Sequence, residues 1–158
     1  MGSTSASARA QQVGVIVLLR ATVPGVWIGL VVGLSFIETP LKFLAPDVTL
    51  PIALGIGRLV LAAANIASGV LLITLTILSA VRPRVLRRAW YAVGGLWLVL
   101  LIQVAILRPP LNARTDLILA GGDPGSSPLH VLYIAADVLL LVLLIAYIPF
   151  ARTKPATD

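Results

Sequence analysis

The sequence predicts an all-α four-helix transmembrane bundle with both termini in the cytoplasm. Three observations lead to this fold class. Of the 158 residues, 59% are hydrophobic and 11% are charged, whereas soluble domains average about 25% charged residues. Four segments are long and apolar enough to cross a bilayer, which takes about 20 residues each. The basic residues also concentrate at one end of these segments, as the positive-inside rule expects.

The predicted elements follow one another along a single membrane domain, residues 13–150. A polar tail rich in Ser and Ala, residues 1–12, precedes it and is expected to be disordered. A cleaved signal peptide fits this end poorly, because Arg20 interrupts the apolar stretch that such a peptide needs. Residues 151–158 form a short cytoplasmic tail. The four spans are predicted at about 20–40, 51–80, 88–107 and 128–150.

Proline and serine mark the predicted helix boundaries. Pro51 and Pro128 lie where the second and fourth spans begin, since the first turn of a helix tolerates proline. Ser127 is a candidate N-cap beside Pro128. The run Arg108-Pro109-Pro110 is expected to end the third span, because proline interrupts a helix. Residues 108–127 then form an outer loop, which is either a plain connection or a short interfacial helix covering the outer end of the bundle.

The distribution of basic residues predicts the orientation in the membrane. The larger group comprises Arg9, Arg20, Arg82, Arg84, Arg87, Arg88, Arg152 and Lys154, and the smaller group comprises Lys42, Arg108 and Arg114. The positive-inside rule places the larger group and both termini in the cytoplasm. This asymmetry also accounts for the net charge of +6, so nucleic acid is not an expected partner. The bias and the absence of targeting signals suit a bacterial inner membrane.

Two charged residues lie within the predicted spans. A charge at the bilayer centre costs about 2.5–3.5 kcal/mol on insertion scales and commonly marks a functional site. At about 1.5 Å per residue, Arg58 lies ~10 Å below the outer end of its span and Asp137 ~13 Å. We expect these two side chains to form an ion pair that lines a cavity open to the outside. The pair either serves a function or only holds the helices in register.

Other polar residues extend this predicted site. His130, Tyr133 and Asp137 follow the spacing i, i+3, i+7 and therefore share one helix face. Because a His beside a carboxylate can act as a general base near neutral pH, Asp137 and His130 are the candidate catalytic residues. The candidate binding residues are Arg58, Glu38, Tyr133, Asn112, Arg114, Gln103 and Asn65. With one His and no Cys, the chain predicts no metal site, and these residues specify no cofactor.

The first span carries Gly25, Gly29 and Gly33, which place one small residue per turn on one face. Such a pattern lets the backbone of another helix approach closely. The neighbouring helix belongs either to the same bundle or to a second copy of the chain. A homo-oligomer, or a larger membrane complex, therefore remains open.

A short stretch of the chain resembles a known group of proteins. Arg108-Pro109-Pro110-Leu111-Asn112 is followed by Asp116, and His130 then opens the last span. This arrangement resembles small four-helix bacterial membrane proteins, including the anthrone-oxygenase-like group, over about a quarter of the chain. The resemblance implies a four-helix fold and makes Asn112 a candidate site residue. Some members of that group oxidise a lipophilic aromatic molecule without an obvious cofactor, but the matching residues do not define this chemistry.

Three function classes remain open from the sequence. The first is an integral membrane protein with a one-sided polar pocket in the outer half of the bilayer, which binds or transforms a small lipophilic molecule. The second is an accessory or structural subunit of a larger membrane complex, and the third is a small transporter or channel that acts as an oligomer. The inner halves of the spans are almost entirely apolar, which favours the one-sided pocket. Whether the protein is an enzyme stays open.

Overall fold

The computed structural model describes residues 2–151, and this part of the chain contains helices but no strand. The helical elements are α1 (Gly2–Val31), the π-helical segment π1 (Val32–Glu38), α2 (Thr39–Lys42), α3 (Leu50–Ala80), α4 (Arg87–Leu101), the π-helical segment π2 (Ile102–Leu107), α5 (Arg108–Leu119) and α6 (Leu129–Phe150). Four stretches are long and apolar enough to cross a membrane: Ala10–Lys42, Leu50–Ala80, Arg87–Leu119 and Leu129–Phe150. The predicted all-α four-helix transmembrane bundle is therefore confirmed.

The first helix is longer than predicted. Since α1 begins at Gly2, the expectation of a disordered tail is wrong for residues 2–12. Residues 8–12 are Ala, Arg and Gln, which have high helix propensity and extend the helix beyond its apolar part. Met1 and residues 152–158 lie outside the described residues. Of the predicted C-terminal tail, 151–158, only residue 151 is described.

The third span continues through the two prolines that were expected to end it. The elements α4, π2 and α5 form one helix, Arg87–Leu119. Pro109 and Pro110 have no N–H to donate to the carbonyls four residues earlier. Just before them, the Arg108 N–H bonds instead to the carbonyl of Gln103, five residues back. This wider π-helical turn accommodates the missing hydrogen bonds of the two prolines, and the helix continues. The segment predicted as outer loop 108–127 therefore begins as a helix.

The first span also contains a π-helical segment before a proline, at the same end of the bundle. Segment π1 precedes Pro40, and the Thr39 N–H bonds to the carbonyl of Leu34, again five residues back. The Thr39 hydroxyl also donates to this carbonyl, at 2.9 Å. Single-turn π-helical segments occur frequently at functional sites, because they change the direction in which side chains point.

Two predicted boundaries agree with the structure. Pro51 lies in the first turn of α3, and α6 begins directly after Pro128. The Ser127 hydroxyl accepts a hydrogen bond from the Leu129 N–H at 3.2 Å, which satisfies one of the free donors at the start of α6.

Large apolar side chains fill the half of the bundle nearest the α3–α4 connection. The most fully buried of these are Trp27, Leu72, Leu75, Leu96, Leu140, Leu144 and Tyr147. At this end the Leu86 N–H donates to the carbonyl of Phe150, so the start of α4 lies against the end of α6. We call it the arginine-rich end, after Arg82, Arg84, Arg87 and Arg88. Its location in the cytoplasm remains a prediction from the charges.

Arg20 is fully buried beside this core. Its Nε and Nη2 atoms donate to the carbonyl of Leu78 at 2.9 and 2.6 Å, and Nη2 also donates to the carbonyl of Val81 at 2.9 Å. These carbonyls lie at the C-terminal end of α3, where the helix dipole favours a positive charge. From the sequence, Arg20 marks the orientation and argues against a signal peptide, whereas the structure shows it hydrogen-bonded to the end of a neighbouring helix.

The glycine face of α1 points away from the rest of the bundle. A Cβ atom built on Gly25, Gly29 or Gly33 would meet no atom within 4 Å. The first alternative from the sequence, close packing of this face inside the bundle, is therefore wrong. Contact with a second copy, or with another membrane protein, remains a prediction.

Candidate functional site

A cavity of about 320 Å³ opens at the end of the bundle opposite the arginine-rich end. Segment π1 and helices α2, α3, α5 and α6 surround it. Its apolar wall includes Leu34, Phe43, Leu54, Val60, Ile118 and Ile134. Seven of the nine predicted site residues also line it, namely Glu38, Arg58, Asn112, Arg114, His130, Tyr133 and Asp137. We refer to this space as the main cavity.

A second, much smaller cavity lies against the main cavity and has a volume of about 20 Å³. The two share parts of their walls, formed by Leu34, Ser35, Leu61, Ala64, Tyr133 and Asp137. The remaining two predicted site residues, Asn65 and Gln103, line this smaller space together with Ser68. We call it the floor chamber. The structure thus brings all nine predicted residues to two adjoining cavities.

Asp137 has a different partner from the one predicted. The Nε2 atom of Gln103 donates to Oδ1 of Asp137 at 2.7 Å, and the two residues are only 1% and 5% exposed. Ser35 lines both cavities together with this carboxylate. Asp137 forms no salt bridge within the part of the chain that the structure describes. Its hydrogen-bond partner is an amide of the third span rather than a cation.

Arg58 pairs with Asp116 on α5, so the predicted Arg58–Asp137 ion pair is wrong. The Nη1 atom of Arg58 lies 2.5 Å from Oδ1 of Asp116, and their side chains are 36% and 57% exposed. The physical reason is the continuation of the third span. Because α5 extends as a helix past the prolines and packs on α3, it brings Asp116 to Arg58 at the cavity mouth.

The polar faces of α3 and α6 nevertheless meet, one helical turn or more away from Arg58. The Tyr133 hydroxyl donates to Oδ1 of Asn65 at 2.9 Å. The Nδ2 group of the same amide is buried and has no acceptor within residues 2–151. Beside it, the Trp27 indole N–H donates to the Ser68 hydroxyl at 2.9 Å. The floor chamber is therefore lined by the Asn65 amide, whose N–H group has no partner among the described residues, and by the Asp137 carboxylate. Hydrogen bonds hold several other polar side chains of its wall in place.

A lysine side chain crosses the mouth of the main cavity. Lys42 on α2 lies 3.4 Å from the carboxylate of Glu38, measured from Nζ to Oε2. Its Nζ would be 2.7 Å from a Cβ atom built on Gly57 of α3, so the missing side chain at Gly57 makes room for it. Lys42 thus reaches from the first span to the second at the opening, while its ion pair with Glu38 lies within the first span.

The other predicted residues take separate positions around the mouth. Arg114 donates to the carbonyl of Pro124 at 3.2 Å and to that of Gly125, so it holds the connection between α5 and α6. Gly125 has a positive φ of 71°, which favours glycine in this turn. His130 is exposed at the rim, and Asn112 lines the wall from α5. The basic groups Arg58 and Arg114 therefore have partners within the protein.

The sequence analysis missed Ser35, Lys42 and Ser68 as residues of this site. A signal for the first two was present, because Ser35, Glu38 and Lys42 follow the same i, i+3, i+7 spacing that was recognised for His130, Tyr133 and Asp137. Ser68 lies three residues after Asn65 and thus on the same face of α3. In residues 2–151, no three His, Asp or Glu side chains come together in a way that could hold a metal ion.

No family model, curated protein or solved structure matches this chain.

Proposed function

We propose that the protein is a multi-pass protein of the bacterial inner membrane that binds a small lipophilic molecule in the main cavity. The observation that carries this proposal is the cavity itself. Its volume of about 320 Å³ falls within the ~300–1,000 Å³ of typical small-molecule pockets. Mostly apolar walls with a few convergent polar groups are also typical of such pockets. In the orientation predicted from the charges, the molecule would enter from the outer side.

The packing of the opposite half supports a one-sided pocket rather than a channel. Leu72, Leu75, Leu140 and Leu144 are at most 1% exposed and fill the interior between the floor chamber and the arginine-rich end. An ion would meet no polar path through this layer. A transporter or channel function, the alternative from the sequence, would require a pathway formed between several copies of the chain.

His130 and Asp137 are the groups that would move a proton if the bound molecule is transformed. Both line the main cavity, with His130 at the rim and Asp137 at the floor. Asn112, the residue singled out by the resemblance to the anthrone-oxygenase-like group, lines the same cavity. These positions are compatible with binding alone or with catalysis.

A role as a subunit of a larger assembly has one specific observation in its favour. The glycine face of α1 is open, and small residues allow close contact between transmembrane helices. This role does not exclude the first, because the glycine face and the main cavity involve different surfaces of the chain.

The binding proposal is tested by filling the cavity. Ala64 lines both cavities, whereas Ala63 is exposed and lines neither. Wild type, Ala64→Phe and the matched control Ala63→Phe are purified in nanodiscs, and their solvent extracts are compared by mass spectrometry. We expect at least one lipophilic molecule that wild type and Ala63→Phe retain and Ala64→Phe lacks. Identical extracts from three equally folded proteins would contradict the proposal.

A further inference from the structure

We propose that the molecule bound in the main cavity is apolar except for one hydroxyl group, and that this hydroxyl occupies the floor chamber between Asn65 and Asp137. The inference rests on the proposed function and specifies the chemical class of the ligand. It follows from three properties of the floor chamber: its donor, its acceptor and its size.

The donor is the amide of Asn65. Tyr133 donates to the Oδ1 atom of this amide at 2.9 Å, which fixes the orientation of the group, and Asn65 lines the chamber. Asn65 is 9% exposed, and Nδ2 has no acceptor among the described residues. A buried N–H without a partner is costly, so a ligand that offers an acceptor here gains affinity.

The acceptor is the carboxylate of Asp137, which lines both the chamber and the main cavity. A carboxylate has about four positions that accept hydrogen bonds. Gln103 uses part of this capacity, and no cation of the described chain competes for the remainder. Asp137 can therefore accept a further hydrogen bond from a group placed beside Asn65.

A hydroxyl group satisfies both residues with a single oxygen atom. Its oxygen accepts from Asn65 and its hydrogen is donated to Asp137. An ammonium group has no acceptor for the Asn65 amide, and a carboxylate would face Asp137 with the same charge. A methyl group would leave the Asn65 N–H unpaired.

The size of the chamber supports the same choice. Its volume of about 20 Å³ slightly exceeds the ~10–15 Å³ that one water molecule needs on this measure. It thus admits one oxygen atom, while the much larger main cavity beside it accommodates the apolar body of the molecule. When no ligand is bound, one water molecule would fit in the place of the hydroxyl.

Three probes that differ only in the terminal group test this inference. Tritiated 1-decanol, undecane and decylamine present a hydroxyl, a methyl and an ammonium group on the same alkyl chain. Their binding to the full-length protein in nanodiscs is measured against empty nanodiscs of the same lipid, which corrects for partition into the bilayer. We expect 1-decanol to bind about tenfold more tightly than undecane, which corresponds to one hydrogen bond to a charged group.

Two variants assign this preference to the chamber. Asn65→Leu and Asn65→Val both remove the amide donor without adding a charge or a hydroxyl, so each should lower the ratio of 1-decanol to undecane affinity to about one. The two replacements differ in shape and volume, so agreement between them guards against a result caused by altered packing. The control Ala63→Leu, on the exposed face of α3, should keep the tenfold ratio.

Each outcome has a separate meaning. Equal binding of 1-decanol and undecane to wild type would overturn the inference but leave the lipophilic pocket in place. Tightest binding of decylamine would overturn it by identifying Asp137 as the partner of a cation. A hydroxyl preference that persists in both Asn65 variants would also overturn it. Failure of all three probes to bind above empty nanodiscs would count against the proposed function itself.

Discussion

The hydrogen bond between Gln103 and Asp137 should couple the third and fourth spans, whereas Arg58 should be energetically independent of Asp137. The structure and the charge pattern of the sequence disagree on this point, so it can be decided by a double-mutant cycle. The variants Gln103→Leu, Asp137→Leu and Arg58→Leu, each alone and in pairs, remove one partner at a time without a large change in volume.

The expected magnitude follows from the geometry. The bond between Gln103 Nε2 and Asp137 Oδ1 is 2.7 Å long and both residues are at least 95% buried. Hydrogen bonds to charged groups contribute about 1.5–3 kcal/mol in soluble proteins, and hydrogen bonds between membrane helices average about 0.6 kcal/mol with a maximum near 1.7. We therefore expect a coupling free energy of about 1–2 kcal/mol for this pair.

The same reasoning gives smaller values for the other pairs. Arg58 and Asp116 are partly exposed, so their coupling should lie between about 0 and 1 kcal/mol. Arg58 and Asp137 share no contact, and their effects should add to within about 0.5 kcal/mol. The free energies of unfolding are measured by titration with a denaturing detergent. A coupling above about 1 kcal/mol between Arg58 and Asp137, with none between Gln103 and Asp137, would refute the structural assignment.

Three further predictions concern other parts of the chain. Arg20→Met should lower the free energy of unfolding by about 1–3 kcal/mol, because it leaves the carbonyls of Leu78 and Val81 without their Arg20 donors, and Arg20→Lys should lower it less. A loss under about 0.5 kcal/mol in the detergent titration would show that water already reaches these carbonyls. Gly57→Ala should displace the flexible end of Lys42 with little loss of stability. If Lys42 obstructs the mouth of the main cavity, a bound probe should dissociate faster from this variant than from wild type. An unchanged dissociation rate would contradict this role. Gly29→Leu should leave the unfolding of the monomer unchanged because the glycine face is open; reduced cross-linking between copies would identify that face as an interface, and unchanged cross-linking would argue against one.

The fold was largely predictable because the bilayer imposes one simple requirement, a sufficient length of apolar helix. Hydrophobicity alone located all four spans. The extension past Pro109 and Pro110 was not predictable in this way, because a proline normally ends or bends a helix. Only the backbone hydrogen bonds of the folded chain show that a π-helical turn accommodates the two prolines. The same limit applies to residues 2–12, where helix propensity extends a helix that the hydropathy pattern does not require.

The site was predictable in its membership but not in its pairing. Helix spacing grouped His130, Tyr133 and Asp137 on one face. Asn65 and Gln103 became candidates because they are polar residues within the predicted spans. Rotation of each helix about its axis decides which of them touch. Arg58 lies at a depth close to that of Asp137, but it is turned towards α5, and the helical continuation of the third span provides Asp116 as its partner.

The two π-helical segments connect the fold to the proposed function. Both lie at the cavity end of the bundle, where π1 precedes Pro40 and π2 precedes Pro109 and Pro110. Segment π1 carries Ser35, which lines both cavities, and π2 carries Gln103, which donates a hydrogen bond to Asp137. Beyond each segment, α2 and α5 form walls of the main cavity. The departures from regular helix geometry therefore lie in the parts of the first and third spans that supply the donor to the buried carboxylate and the walls of the cavity above it.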